Sequence, residues 1–211
     1  MGKYFGTDGF RGEANVDLTV EHAYKVGRFL GWYYGQKNPG ERCRVVIGKD
    51  TRRSSYMFEY SLVSGLTASG ADVFLLHVTT TPSVSYVVRT EGFHCGIMIS
   101  ASHNPYYDNG IKVINEKGEK LEEAVITEIE RYLDGKMEEL PLAKRDMIGR
   151  TVDFAAGRNR YIGYLISIAT RSFKNRKVAL DCANGSASAI AKNVFDALGA
   201  QTFVINNEPN G

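Results

Sequence analysis

The sequence C-G-I-M-I-S-A-S-H-N-P-Y-Y-D-N-G-I-K covers residues 95–112 and places a polar cluster between two apolar runs. The runs 95–99 and 111–114 are short and apolar, as is typical of buried strands. Between them, Asn104 and Pro105 favour a shaped turn. Loops at the carboxyl ends of strands carry the reactive groups in α/β proteins. The segment therefore predicts two strands that flank a functional loop.

Alternating strands and helices extend this pattern along the chain. Hydrophobic spacing predicts helices between the strands, with Thr19 capping the first and Ser54 and Ser55 capping the second. Before the first helix, residues 5–12 are rich in glycine and predict a loop. The predicted fold class is α/β. The predicted strands are residues 44–48, 72–77, 95–99, 111–114 and 177–181.

The sequence also predicts two domains. Residues 136–150 combine mixed charge with a proline and a glycine, as expected of a linker. The order of strand, Gly/Ser/Thr-bearing loop, helix and strand that begins at residue 44 recurs from residue 176. We therefore predict one α/β domain over residues 1–150, then a linker helix and an incomplete second domain over residues 151–211.

Composition excludes several classes of protein. The net charge is +2, from 26 basic and 24 acidic residues, and this balance predicts no binding of nucleic acid or of an anionic membrane. The three cysteines form no CxxC pair, which favours buried thiols in a reducing cytosol over disulfides or a zinc site. No run of 18 apolar residues occurs. A cytoplasmic location is expected.

Three residues of the polar loop and its flank attract attention. Ser102 precedes His103, and Lys112 lies near the start of the following apolar run. A serine beside a histidine and within reach of a lysine can act as a nucleophile or carry phosphate. The alternative is a solvated loop in which these groups bond only to their own backbone. The residues alone leave both interpretations open.

Three separate blocks resemble one enzyme family. They are K-Y-F-G-T-D-G-F-R-G-E-A-N (residues 3–15), G-K-D-T-R-R-S (48–54) and G-I-M-I-S-A-S-H-N-P-Y-Y-D-N-G-I-K (96–112). Together they resemble the first domain of the α-D-phosphohexomutases, and their sequences are most similar to those of the phosphoglucosamine mutase subfamily. The resemblance implies a four-domain enzyme, of which this chain holds domain one, with a mixed sheet between helices, and the start of domain two.

The resemblance also implies roles for individual residues. Ser102 would carry the phosphate and bind Mg²⁺ through it, with further ligands from an aspartate-rich loop that this sequence lacks. His103 and Lys112 would move protons or balance phosphate charge, and these two roles stay open. Arg11 would enter the active-site cleft, where its planar guanidinium suits phosphate oxygens.

The implied reaction interconverts glucosamine 6-phosphate and glucosamine 1-phosphate through a bisphosphorylated sugar, on the way to cell-wall precursors. The alternatives are a phosphomannomutase or phosphoglucomutase of the same superfamily, or a phosphate-binding module without catalysis. The resemblance implies that the aspartate-rich metal loop, the sugar-choosing loop and the distal phosphate-binding domain lie outside these residues. We therefore expect the 211 residues alone to be inactive, although their first domain should fold.

Two further loops and one aromatic segment allow more than one interpretation. The loop that holds Asp50, Arg52 and Arg53 either steers phosphate or has a structural role, in which Asp50 and Arg52 pair with each other or cap the next helix. The aromatic segment 32–34 is interpreted as part of the core or of a homodimer surface, the alternative being a platform for base stacking. Residues 181–186 resemble a phosphate-cradling loop, but the family resemblance assigns them to shaping domain two, and they are left out of the predicted site.

Overall fold

The computed structural model describes residues 2–210 of the chain. Within these residues the chain forms nine strands and six α-helices. The strands are β1 (Phe5–Gly6), β2 (Gly9–Glu13), β3 (Arg44–Lys49), β4 (Asp72–Val78), β5 (Cys95–Ile99), β6 (Asp108–Asn115), β7 (Thr151–Asp153), β8 (Lys177–Asp181) and β9 (Gln201–Ile205). The helices are α1 (Val20–Lys37), α2 (Arg53–Ala68), α3 (Thr81–Thr90), α4 (Glu123–Leu133), α5 (Ala155–Ser167) and α6 (Ala191–Ala197).

Seven strands form one mixed sheet in the order β1-β2-β6-β5-β3-β4-β7. Strands β5, β3, β4 and β7 run parallel to one another, whereas β6 is antiparallel to both β5 and β2. The predicted α/β class with a mixed sheet is confirmed. All five residues of β5 are buried, which explains why its sequence is continuously apolar instead of alternating.

Helices cover both faces of this sheet. On one face, a cluster of buried side chains includes Phe29 of α1, Leu62 of α2 and Ile126 of α4. On the other face, Val84 and Val88 of α3 belong to a second, smaller cluster. The sheet therefore lies between two helical layers, and the loops at the carboxyl ends of its parallel strands remain accessible for binding.

Two helix caps were predicted, with different outcomes. The backbone N–H of His22 donates to Thr19 Oγ1 at 3.3 Å, so the predicted cap of α1 is confirmed. The predicted serine cap of α2 is wrong, because Arg52 occupies the N-cap position and no side chain caps the helix. Ser55 instead lies buried in the first turn and donates its hydroxyl to Asp50.

The glycine-rich opening segment is an antiparallel hairpin rather than a loop. Strand β1 pairs with β2, and β2 pairs with β6 along the edge of the sheet. Glu130 of α4 fixes the start of the hairpin by accepting the backbone N–H groups of Tyr4 and Phe5, both at 2.8 Å. This pairing places Arg11 on a strand, opposite Gly110.

The internal repeat predicted from the sequence is confirmed in both parts. Strands β3 and β4 are parallel and joined by α2, and strands β8 and β9 are parallel and joined by α6. The domain boundary after residue 150 stays a prediction. Next to that boundary, β7 pairs with β4 and adds residues 151–153 to the first sheet.

Aromatic residues 32–34 lie against the core of the first unit. Tyr34 is 2% exposed, and Trp32 and Tyr33 pack partly buried against the same cluster. This packing favours the core over a dimer surface. Among the described residues, no helix combines the length and apolar character needed to cross a membrane.

Candidate active site

The loop between β5 and β6 presents Ser102 at its surface. Ser102 is exposed and has a φ of +59°, an uncommon backbone conformation for a residue other than glycine. Its N–H donates to Ser100 Oγ at 3.0 Å, while its hydroxyl lies 3.3 Å from His103 Nδ1. Ser100 itself is only 7% exposed. Of the two serines, Ser102 is therefore the one available to a ligand.

Short-range hydrogen bonds shape the rest of this loop. The N–H of Asn104 donates to the carbonyl oxygen of Ala101 at 3.2 Å, and the N–H of Asp108 donates to that of Pro105 at 3.1 Å. The Asn104 side-chain amide also donates to the Asp108 carboxylate at 2.9 Å. These contacts produce the shaped turn that the Asn-Pro pair predicts.

Asn109 and Gly110 anchor the end of the loop. The amide of Asn109 is fully buried and donates to the hydroxyls of Ser54 and Ser55 at 2.8 and 3.0 Å. A Cβ atom on Gly110 would lie 2.8 Å from the carbonyl oxygen of Ser100. Only glycine allows this close approach of the two backbone segments without displacing either.

Ser102 and His103 line a cleft of about 720 Å³. Residues 80–82, at the start of α3, form part of its wall, and residues 183–186, which follow β8, form another part. The cleft thus lies between the two repeated α/β units. Residues 183–186 were left out of the predicted site, although the internal repeat offered a signal, since it aligns this loop with the one after β3.

The 183–186 loop is held in place by the neighbouring loop after β9. Asp181 Oδ1 accepts the N–H of Ala183 at 2.9 Å and the side-chain amide of Asn206 at 3.0 Å. The N–H of Asn184 donates to the backbone oxygen of Asn206 at 2.6 Å. Ala183 and Asn184 both have a φ of +49°, so the segment curls tightly where it faces the cleft.

Arg11 and Lys112 lie on neighbouring strands but outside the lining of the Ser102 cleft. Arg11 forms an ion pair with Asp8 at 3.2 Å, and its Nε atom is buried without a hydrogen-bond partner among residues 2–210. Lys112 lines an adjoining cavity of about 590 Å³ together with Thr7 and Asp8. Thr81 and Pro82 line both cavities, so the two cavities adjoin each other.

The environment of Lys112 alters its proton affinity. Burial lowers the pKa of the Lys112 ammonium, and the positive charge of Arg11 lowers it further, while Asp8 raises it.

We expect Arg11→Gln to shift the midpoint of the pH profile for acetylation of Lys112 to higher pH, because the variant lacks the charge that lowers the Lys112 pKa. Asp8→Asn should shift the midpoint to lower pH, because it removes the charge that raises this pKa. Peptide mass spectrometry after brief acetylation measures both midpoints. An unchanged midpoint in Arg11→Gln would contradict this account of the Lys112 environment.

Asp50 and Arg52 pair with each other, one of the alternatives left open above. Arg52 Nε donates to Asp50 Oδ2 at 2.9 Å, and both residues are almost fully buried. The same guanidinium reaches the carbonyl oxygens of the loop that carries Ser102. Arg52 therefore contacts the candidate site through the backbone oxygens of the loop that carries Ser102.

The residues present do not fit a magnesium site by themselves. Between residues 2 and 210, no group of three or more His, Cys, Asp or Glu side chains is arranged to hold a metal ion. Asp50 lines the cleft, but its carboxylate oxygens are occupied by Arg52 and Ser55. Ser102 is left as the prospective ligand, through a phosphate on its hydroxyl, and Mg²⁺ requires more oxygen ligands than that.

Comparison with known proteins identifies the family. The profile of phosphoglucomutase/phosphomannomutase, alpha/beta/alpha domain I, matches residues 2–139. The chain belongs to this family. It is 72% identical over its 211 residues to the phosphoglucosamine mutases of Lachnospira eligens and Lachnoclostridium phytofermentans, and 49% identical to that of Streptococcus pneumoniae. All of the chain is matched in each case, and it spans 46–47% of the length of these relatives.

Solved structures of the family share the fold. The chain resembles a phosphoglucomutase/phosphomannomutase family protein from Burkholderia thailandensis with a TM-score of 0.79 at 22% identity, covering 98% of this chain and 45% of that one. It resembles parafusin, a phosphoglucomutase from Paramecium, with a TM-score of 0.71 at 20% identity, covering 99% and 44%. The resemblance to the phosphohexomutases is thus confirmed at the level of family and fold.

Proposed function

We propose that this chain forms the N-terminal half of a phosphoglucosamine mutase, which interconverts glucosamine 6-phosphate and glucosamine 1-phosphate. The observation that carries the proposal is the exposed Ser102 hydroxyl in the cleft, 3.3 Å from His103 Nδ1. Relatives named phosphoglucosamine mutase match the entire chain at 72% identity, which supports an amino-sugar phosphate as the substrate. The protein would act in the cytoplasm, and a homodimer stays a prediction.

In the proposed reaction, Ser102 carries a phosphoryl group between two positions of the sugar. A sugar hydroxyl oxygen attacks the phosphorus of phospho-Ser102, the bond from phosphorus to Oγ breaks, and its electron pair stays on Oγ. The sugar hydroxyl loses its proton and the sugar becomes a bisphosphate. After the sugar has reoriented in the cleft, Oγ attacks the phosphorus of the other phosphate. The bond from that phosphorus to the sugar oxygen breaks, the sugar oxygen keeps the electron pair and takes up a proton, and the isomer leaves.

The described residues supply a proton acceptor and positive charge for this transfer. His103 Nδ1 is adjacent to Ser102 Oγ, where a proton must arrive or leave. Arg11 and Lys112 would balance the charge on the phosphoryl oxygens once the sugar phosphate bridges the two adjoining cavities. Which of His103 and Lys112 moves the proton stays open. Mg²⁺ would bind the phosphate on Ser102 together with aspartates supplied by the rest of the protein.

A coupled assay on the full-length protein tests this function. Glucosamine 6-phosphate is supplied with Mg²⁺ and a hexose bisphosphate activator, and formation of the 1-phosphate is followed. Mannose 6-phosphate and glucose 6-phosphate are compared under the same conditions. The proposal requires the largest kcat/KM for the amino sugar. A larger value for mannose or glucose phosphate would assign the protein to a different mutase, and no turnover of any sugar would contradict the proposal.

Arg11→Lys in the full-length protein is expected to lower kcat/KM at least about tenfold, or roughly 1.4 kcal/mol. Lysine keeps the charge but loses the planar fork that can pair with two phosphate oxygens. Arg131→Lys is the matched control, because Arg131 pairs with Glu128 on the exposed face of α4. Equal kcat/KM for wild type and Arg11→Lys would remove Arg11 from the site.

A further inference from the structure

The guanidinium of Arg52 binds four backbone carbonyls of the loop that carries Ser102. One terminal nitrogen donates to the oxygens of Ser102 and Asn104, at 3.1 and 2.8 Å. The other donates to the oxygens of Pro105 and Asp108, the latter at 3.0 Å. Arg52 is 9% exposed. A single side chain from the start of α2 thus organises the loop, although the loop carbonyls lie 50 to 56 residues away in sequence.

Asp50 fixes the orientation of this guanidinium. One carboxylate oxygen accepts Arg52 Nε at 2.9 Å, and the other accepts the Arg52 backbone N–H at 3.1 Å. The hydroxyl of Ser55, which is fully buried, donates to the second oxygen at 2.6 Å. Because the carboxylate is held at both oxygens, it balances the buried charge of Arg52 and limits its rotation.

All of the donors on the Arg52 side chain are engaged. A guanidinium has five N–H groups, and here one donates to Asp50 and four donate to the loop carbonyls. None remains for a phosphate oxygen in the cleft, although Arg52 contributes to the cleft wall. This arrangement argues against direct phosphate binding, the first of the alternatives suggested by the sequence.

The four contacts between Arg52 and the loop carbonyls explain why the Ser102 side chain is exposed. The loop backbone turns its oxygens inward toward Arg52, while the Ser102 side chain remains exposed beside His103. Ser102 also holds a φ of +59°, which costs of the order of 1 kcal/mol and persists only where surrounding contacts impose it.

We propose that Arg52 is a positioning residue, which sets the Ser102 hydroxyl in its reactive orientation through these four carbonyl contacts. The role rests on the proposed function, because the orientation of Ser102 affects turnover only if Ser102 carries phosphate. Lysine cannot replace arginine here, since an ammonium has three donors on one atom and cannot reach four separated oxygens while pairing with Asp50.

The test uses the full-length protein with Arg52→Lys, Arg52→Ala and the control Arg53→Lys. Arg53 is the exposed neighbour of Arg52, so the control makes the same chemical change without touching the loop carbonyls. Two quantities are measured, the kinetics of the mutase reaction and the hydrogen exchange of backbone amides in residues 100–108. Guanidinium chloride at a few millimolar is added to Arg52→Ala to replace the missing group.

We expect Arg52→Lys to lower kcat about tenfold and Arg52→Ala about thirtyfold, with KM for the sugar phosphate changed less than about threefold. Exchange in residues 100–108 should accelerate at least about tenfold in both variants, and guanidinium should restore part of kcat in Arg52→Ala. Arg53→Lys should match the wild type. If the Arg52 variants do not fold, Asp50→Asn is used instead, because it keeps the guanidinium but loosens its orientation. It should lower kcat and accelerate exchange in residues 100–108 by smaller factors.

Three results would overturn the positioning role. The first is unchanged kcat and unchanged exchange in Arg52→Lys. The second is a raised KM with kcat and exchange unchanged, which would mean that Arg52 binds the substrate. The third is a lower kcat with unchanged exchange in residues 100–108, which would mean that Arg52 does not order the loop. Absence of turnover and of Ser102 phosphate in the wild type would instead contradict the proposed function, and the exchange data would still decide whether Arg52 orders the loop.

Discussion

Ser102→Ala in the full-length protein is expected to lower kcat/KM at least about a thousandfold, or roughly 4 kcal/mol of transition-state stabilisation. The variant has no oxygen to carry the phosphoryl group, so the two-step transfer has no covalent intermediate. Alanine removes only the hydroxyl from an exposed side chain, and the fold should therefore persist. The measurement is the coupled mutase assay, with the melting temperature as a check on folding.

Ser100→Ala is the matched control for this prediction. Ser100 Oγ accepts the Ser102 N–H at 3.0 Å and is buried, so it supports the turn, although Ser100 also contributes to the cleft wall. Loss of one such hydrogen bond costs about 1 kcal/mol, and kcat/KM should fall less than about tenfold. If both serine variants lost activity equally, the assignment of the phosphate to Ser102 would fail.

The 211-residue chain alone is expected to show less than about one hundredth of the kcat/KM of the full-length protein, and this is the second large effect. The cleft has walls from the Ser102 loop and from residues 183–186, but its residues do not form a metal site by themselves. Relatives with the named activity are about twice as long as this chain. A substrate held on fewer sides loses the positioning that supplies much of the rate.

Circular dichroism on the purified chain should accompany this assay. The first unit has two buried clusters around a seven-stranded sheet and should retain its helices and strands. The β8–β9 unit is less protected, with Phe203 and Ile205 more than half exposed. A folded chain with turnover within a hundredfold of the full-length protein would show that the catalytic groups lie entirely within these residues.

Local sequence signals predicted the elements that carry a clear hydrophobic or capping pattern. The strand at residues 95–99 was found with its observed bounds, because a buried strand between a glycine and a polar loop has a clear pattern. The cap of α1 by Thr19 was also found. The hairpin at residues 5–13 was missed, because β1 has only two residues and pairs of short strands lack a periodic signal.

Features that depend on distant contacts could not be predicted from the residues alone. The function of Arg52 depends on carbonyl oxygens 50 to 56 residues away, and no pattern within one loop reveals them. The approach of residues 183–186 to Ser102 depends on how the two units pack. The choice of Ser102 over Ser100 came from the family resemblance, and the exposure of Ser102 gives that choice a physical basis.

The most direct test of this account is the phosphorylation state of Ser102. Full-length protein is incubated with glucosamine 1,6-bisphosphate or glucose 1,6-bisphosphate and then digested, and the peptide that contains residues 95–112 is examined by mass spectrometry. We expect a single phosphate, located on Ser102 and absent from Ser102→Ala. Removal of this phosphate on addition of glucosamine 6-phosphate should follow. A peptide without phosphate, or one phosphorylated at Ser100, would contradict the proposed role of the loop.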